Sequence, residues 1–193
     1  MRLVSDETYS KDGIELTQKL YSKAIQLAKN NCEKLYRIAR FYRFDRERRH
    51  EFQALAFQLY TEAAKSKHVA SLRELSEMHR KGIGCDVDLD KAFKYARYLA
   101  KSGDTWGQKT VAAHYLNGDG TLYDPEYATY WWKRAALKGD PWSAFQLGES
   151  YYLGEGASLN IKAASQWYQS AYTRGVTQAK DRLEQIKKIK KRS

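Results

Sequence analysis

Apolar residues along this chain recur every three or four positions, and that spacing predicts helices from end to end. Ser143, Leu147, Gly148 and Tyr151 fall on one face of a first helix, A; Ala164, Trp167 and Ala171 fall on one face of a second, B. Gly154 and Gly156 lie between them, where a tight reversal needs the left-handed backbone that glycine accepts. Asn160 follows, a residue type whose side chain accepts hydrogen bonds from the free amides of a first turn. The segment therefore reads as helix A, a glycine elbow and helix B, with Trp167 expected to fill the space between neighbouring units.

The same arrangement returns every 36 residues: Gly82, Gly118 and Gly154; Gly84, Gly120 and Gly156; Ala92, Ala128 and Ala164; Gly103, Gly139 and Gly175. Asp88, Asp124 and Asn160 take the cap position, and Pro125 suits the first helical residue after it. The buried stripe of helix B recurs as Ala128, Trp131 and Ala135 and as Ala92, Tyr95 and Leu99. One step upstream Ala56 keeps the frame, but Lys67 replaces the closing glycine, and Arg46 and Arg48 stand where the elbow glycines belong. The expected organisation is a capping helix over 1–31, a divergent repeat over 32–67, repeats over 68–103, 104–139 and 140–175, and a capping helix with a basic tail over 176–193. Leu20, Ala24, Leu27 and Ala28 mark the first cap as an unpaired helix B; Ala179, Leu183 and Ile186 mark the last as an unpaired helix A.

The motif Ser143, Leu147-Gly148, Tyr151, Gly154, Gly156, Asn160, Ala164, Trp167-Tyr168, Ala171 and Gly175 resembles the Sel-one-like repeat family, a branch of the tetratricopeptide superfamily. The resemblance covers residues 68–175 well and 32–67 loosely. It implies an all-α, right-handed solenoid of antiparallel helix pairs with a 36-residue period, used as an adaptor or inhibitor surface. Fold alone does not establish that use.

Composition narrows the picture. The 193 residues are 42% hydrophobic and 30% charged, enough for a core and too apolar for disorder, and no apolar run approaches the ~18 residues of a membrane span. The opening MRLVSDETYSKDG lacks the apolar stretch of a secretory signal, which points to the cytoplasm. Cys32 and Cys85 show no CxxC or Cys/His clustering, so neither zinc nor a disulfide framework is expected.

Charge belongs to the ends. The net charge is +11, of which residues 1–67 and 176–193 carry +5 each, while 104–139 carry 0 and 140–175 carry −1. Lys34, Arg37, Arg40 and Arg43 lie opposite the apolar face Leu35, Ile38, Ala39 and Tyr42, and with Arg46, Arg48 and Arg49 they form one basic run. Such a run is either a solvated outer face or a docking site for an acidic protein surface, with nucleic acid the less favoured ligand. The tail Lys187-Lys188-Ile189-Lys190-Lys191-Arg192 reads as a solvated terminus.

No constellation supports catalysis, a metal or a cofactor. The Gly-x-Gly pairs follow helices and keep the repeat period, which fits elbows and not phosphate loops. His50, His68, His79 and His114 show no ligand spacing, and His79 occupies the position of Tyr115 and Tyr151, a packing position. Trp106 and Trp142 are different: they lie 36 apart, just before the first buried position of helix A, where the family is variable and usually polar. Either they form an aromatic ladder on the inner surface, near Thr110, Asn117, Gln146 and Glu149, or they cover the junction with the preceding unit. The expected function is a non-catalytic scaffold that binds a protein partner, one with an acidic surface, through the concave face and the basic N-terminal residues Arg37, Arg40 and Arg43. Family habit extends this to a cytosolic inhibitor or an immunity protein against a toxin. The alternative is electrostatic nucleic-acid binding through the basic ends.

Overall fold

The structure is a computed structural model that describes residues 11–29, 31–44 and 50–190. The described residues form ten helices and no strand: α1 (Lys11–Ala28), α2 (Cys32–Arg43), α3 (His50–Ala64), α4 (Val69–Lys81), α5 (Leu89–Lys101), α6 (Thr105–Asn117), α7 (Pro125–Leu137), α8 (Pro141–Leu153), α9 (Ile161–Thr173) and α10 (Gln178–Lys190). The all-α class of antiparallel helix pairs expected from the sequence is the one found. None of the described helices is long and apolar enough to cross a membrane. The chain divides into two compact units, Met1–Tyr95 and Ala96–Ser193.

In the C-terminal unit the repeat chemistry can be followed bond by bond. Asp140 caps α8 by accepting from the Ser143 amide at 2.7 Å, and Pro141 fills the first helical position. Gly154 stops α8 in the left-handed conformation, φ 74°, and its amide donates to the Ser150 carbonyl at 3.0 Å. Asn160 then closes the elbow twice: its amide donates to the Tyr151 carbonyl at 2.8 Å, and its side chain accepts from the Ala163 amide at 2.9 Å to start α9. Asp124 does the same one period earlier, on the Tyr115 carbonyl and the Tyr127 amide. Gly156 is needed for closeness as well as for its φ of 72°, because a Cβ there would sit 2.1 Å from the Pro125 carbonyl oxygen at the start of α7.

The core of this unit is built from small residues and rings. Ala128, Ala135, Ala144, Leu147, Ala164 and Ala171 are fully buried, with Trp131 and Trp132 nearly so. Gly148 lets α8 lie directly on the Tyr168 ring, whose nearest atoms would be 2.7 Å from an added Cβ. This corrects the sequence reading of α9: Tyr168 is the fully buried ring, while its neighbour Trp167 is only half-buried. The two differ by ~100° around the helix, and α8 lies over the second.

The N-terminal unit reaches a similar packing by other means. Its core takes Ala24 and Ala28 from α1, Leu35 and Ala39 from α2, Leu55, Leu59 and Tyr60 from α3, and Leu75 and Met78 from α4. His68 occupies the cap position of Asp104 and Asp140; its Nδ1 accepts from the Ser71 amide at 3.3 Å, and its Nε2 lies 3.2 Å from Glu33. Lys67 replaces the closing glycine yet keeps a left-handed φ of 59°. The Asp88 side chain caps the start of α5 on the Lys91 amide at 2.9 Å, as its counterparts do. The basic run at Arg46, Arg48 and Arg49 lies outside the described residues.

Candidate partner-binding surface

Trp142, Gln146, Glu149 and Leu153 stand four, three and four residues apart, so the α8 helix presents them as one stripe opposite its buried face. Trp142 is 41% exposed and stacks on Phe145 at 5.4 Å; Phe145 in turn tilts against Tyr168 at 5.6 Å. One edge of the indole is therefore held by the core, and the rest faces outward. At the other end of the stripe Leu153 is 57% exposed.

Beside that end lies a cleft of about 130 Å³, lined by Leu116 of α6, Pro125 and Trp132 of α7, Gln146, Glu149, Ser150 and Leu153 of α8, and Glu155 of the elbow. Its walls are largely apolar and its rim carries two carboxylates. Glu149 is committed within the protein: Arg182 of α10 grips it with Nε to Oε1 at 2.7 Å and Nη2 to Oε2 at 2.8 Å, and the Tyr168 hydroxyl donates to Oε1 at 2.6 Å. The Arg182 guanidinium also sits 5.6 Å from the Tyr152 ring centroid. Burial, reinforced by the bond to Glu149, pushes the Tyr168 phenol far above its ordinary range, so it remains a donor at any physiological pH. Glu155 is exposed and accepts from the Tyr123 hydroxyl.

The equivalent positions of α6 are quieter. Trp106 and Thr110 are half-buried, and Asn117 is exposed, donating to Asp119 at 3.2 Å. Gly107 beside Trp106 brings α6 against α5, since a Cβ there would meet the Leu99 Cβ at 2.5 Å. Trp106 is thus the more covered of the two tryptophans, one residue from a close helix junction, and Trp142 the more open. The sequence pointed to the stripe through the paired tryptophans. It did not point to Leu116, Pro125, Trp132 or Glu155, which come together only when α6, α7 and α8 pack, nor to Arg182, whose partner lies 33 residues away.

In the N-terminal unit, Arg37 and Arg40 are exposed on α2 and Arg43 is half-buried. Arg37 pairs with Glu33 at 2.8 Å, which together with His68 holds the Glu33 carboxyl below the usual range. Arg40 and Arg43 lie 6.0 and 5.4 Å from the Phe44 ring centroid. Their charge also reaches Glu74 of α4, though burial outweighs them and pushes that carboxyl up.

Elsewhere the titratable groups read as structural. Cys85 Sγ lies 3.7 Å from His79 Nδ1, but burial lowers the imidazole and raises the thiol, the reverse of what a thiolate–imidazolium pair requires. His79 packs between Phe57 and Tyr95 at 5.2 and 5.9 Å, as a substitute for the tyrosine of other repeats. His114 Nδ1 donates to the Asp119 carbonyl at 2.7 Å. Among the described residues no three His, Cys, Asp or Glu side chains gather as metal ligands.

The Sel1 repeat family matches the chain at residues 53–68, 69–104, 111–140 and 143–176, more than half of its length. Among solved structures, it is similar to c5321, a protective antigen of uropathogenic Escherichia coli strains displaying an SLR fold, with a TM-score of 0.78 and 27% identity over 88% of this chain and 36% of that one. The chain thus spans about a third of that protein's length. A Sel1 repeat protein from Oxalobacter formigenes gives a TM-score of 0.71 and 24% identity over 90% of this chain and 73% of that one. Helicobacter pylori cysteine rich protein B gives 0.52 and 22% over 67% and 93%. Comparison with curated proteins finds no match.

Proposed function

The chain belongs to the Sel1 repeat family, whose members are generally non-enzymatic protein-interaction scaffolds, and we propose that it binds a protein partner through the helix-A face of its C-terminal unit, with the basic α2 face as a second contact. The observation that carries this reading is Trp142: an aromatic ring braced from beneath by Phe145, exposed above, and on the same helix face as Gln146, Glu149 and Leu153 of the apolar cleft. Rigid, partly exposed aromatics of this kind dominate interface energies, because they bury a large area with little loss of side-chain freedom. Arg37 and Arg40 suit an acidic partner surface and would act chiefly on the association rate. Occlusion of an acidic toxin or effector surface is the form of this function that the family and the charge favour, in the manner of a cytosolic inhibitor or immunity protein.

The test is affinity capture from the native cell with the tagged full chain, washed at moderate and high salt, with nuclease treatment in parallel. One stoichiometric protein that survives nuclease and is lost from Trp142→Ala, while that variant keeps its melting temperature, is the expected result. Recovery of nucleic acid alone, released by salt, would overturn the reading in favour of electrostatic nucleic-acid binding.

A further inference from the structure

Resting on the reading that the α8 stripe holds a protein segment, we infer what that segment is: an extended stretch with one aliphatic side chain, a lysine or arginine two residues from it on the same face, and a second apolar side chain four residues away on the other side.

The anchor follows from the cleft. Its volume of about 130 Å³ is close to the ~150 Å³ that accommodates a benzene-sized group, so it takes one aliphatic side chain and not an indole. Leu116, Pro125, Trp132 and Leu153 supply the apolar contact. The cation follows from the charge left over at the rim. Arg182 already neutralises Glu149, so the Glu155 carboxylate is the net charge of the cleft. Asp119, the elbow residue one period earlier, has the same sign. A basic side chain two residues from the anchor, on the same face of the extended segment, is attracted there and an acidic one repelled. The segment's sign is therefore opposite to that expected at the basic α2 face, so one partner meeting both surfaces must carry both signs.

The spacing follows from helix geometry. Ser150, midway among the cleft residues of α8, is eight residues beyond Trp142, or about 12 Å along the helix axis. An extended chain covers that distance in about four residues, and its side chains four apart point the same way. Glu155 lies beyond Leu153, so the cation belongs on the side of the anchor away from Trp142. The polar side chains on the stripe and its α6 counterpart favour an extended backbone over a helix. Gln146, Thr110 and Asn117 offer donors and acceptors that a bare strand-like backbone needs and a helix already satisfies within itself.

The experiment pans the immobilised full chain against displayed random dodecapeptides, with the Leu153→Asp and Glu155→Lys chains panned in parallel and their folds checked by circular dichroism. Both positions are exposed, so both variants retain the fold. Wild type is expected to enrich an aliphatic residue with a cation two positions away on one side and an apolar residue four positions away on the other. A synthetic peptide of the enriched sequence should bind Leu153→Asp about tenfold more weakly, and Glu155→Lys about fivefold more weakly. Panning on Glu155→Lys should exchange the cation for Asp or Glu, a switch that a merely structural Glu155 would not produce. Enrichment of acidic sequences by wild type, apolar pairs seven or eight apart, binding indifferent to both substitutions, or no enrichment would each overturn the inference. A cellular partner that is captured by wild type and lost from Trp142→Ala, with no such motif in the panned peptides, would leave the scaffold reading standing and remove only the segment chemistry.

Discussion

Tyr60 on α3 and Tyr168 on α9 stand three repeat periods apart at the same position, and both are fully buried. They differ in what meets the hydroxyl. Tyr168 donates to Glu149 at 2.6 Å, whereas the Tyr60 hydroxyl has no hydrogen-bond partner among the described residues. The position that supplies Glu149 in the C-terminal unit holds Phe41 three periods earlier, a residue 74% exposed. Burial pushes both phenols well above their ordinary range, with the carboxylate adding to the effect at Tyr168. The repeat thus decides which residue is buried, and the neighbouring helix decides whether its polar atom is satisfied.

Removing each ring is the most forceful way to break this comparison. Tyr168→Ala opens a cavity beneath Gly148 and deprives Glu149 of a donor, and should cost about 3–5 kcal/mol in denaturant unfolding. Tyr60→Ala should cost about 1–2 kcal/mol less, because it also removes an unmet hydroxyl. The conservative pair sharpens the point. Tyr168→Phe should destabilise by about 1–2 kcal/mol, while Tyr60→Phe should be neutral or mildly stabilising. Equal losses at both sites would show that Glu149 contributes nothing to holding α9.

These two tyrosines also show what a sequence conveys in a repeat protein. The period located the elbow glycines, the caps Asp88, Asp124 and Asn160 and the proline at the start of α7, because each depends on a backbone requirement met within a few residues. The choice between Trp167 and Tyr168 was not legible, since adjacent aromatics on one helix differ only in which faces the next helix. At the candidate surface, Trp142 was legible as an anomaly of pattern. The cleft and the Glu149–Arg182 clamp were not, since the first depends on how α6, α7 and α8 pack and the second on two residues 33 apart in sequence.

A smaller contrast concerns His79, which replaces the tyrosine found at 115 and 151. Burial first, then the charge of Lys91, holds its imidazole below the ordinary 6.5, with Asp88 opposing. As pH falls the unfolded chain takes up the proton before the folded one does. The stability contributed by the neutral ring is therefore complete above about 6.5 and declines as pH drops through the lower folded-state value. His79→Tyr should flatten the melting temperature between about pH 6.5 and 5 relative to wild type. Parallel profiles for the two proteins would remove His79 as the cause.

The smallest effect is the cleanest, because it separates backbone from packing. Lys67 closes its repeat with φ 59° where Gly139 has φ 95°, and the amides make the same bond, to Ala64 at 2.8 Å and to Ala136 at 2.9 Å. Lys67→Gly relieves a left-handed side chain, worth about 1–2 kcal/mol, but adds freedom to the unfolded chain worth about 0.5–1 kcal/mol. The net should be a gain of up to about 1.5 kcal/mol, read as a modest rise in the urea midpoint. Gly139→Lys runs the comparison backwards. An added Cβ there meets nothing within 4 Å, so any loss comes from the backbone alone. That loss should exceed the gain at Lys67, because φ near 95° lies farther from the small left-handed basin open to L residues than φ near 59° does. If Gly139→Lys proves harmless, the glycine there is not required by conformation, and the divergence of the N-terminal unit at Lys67 carries no strain.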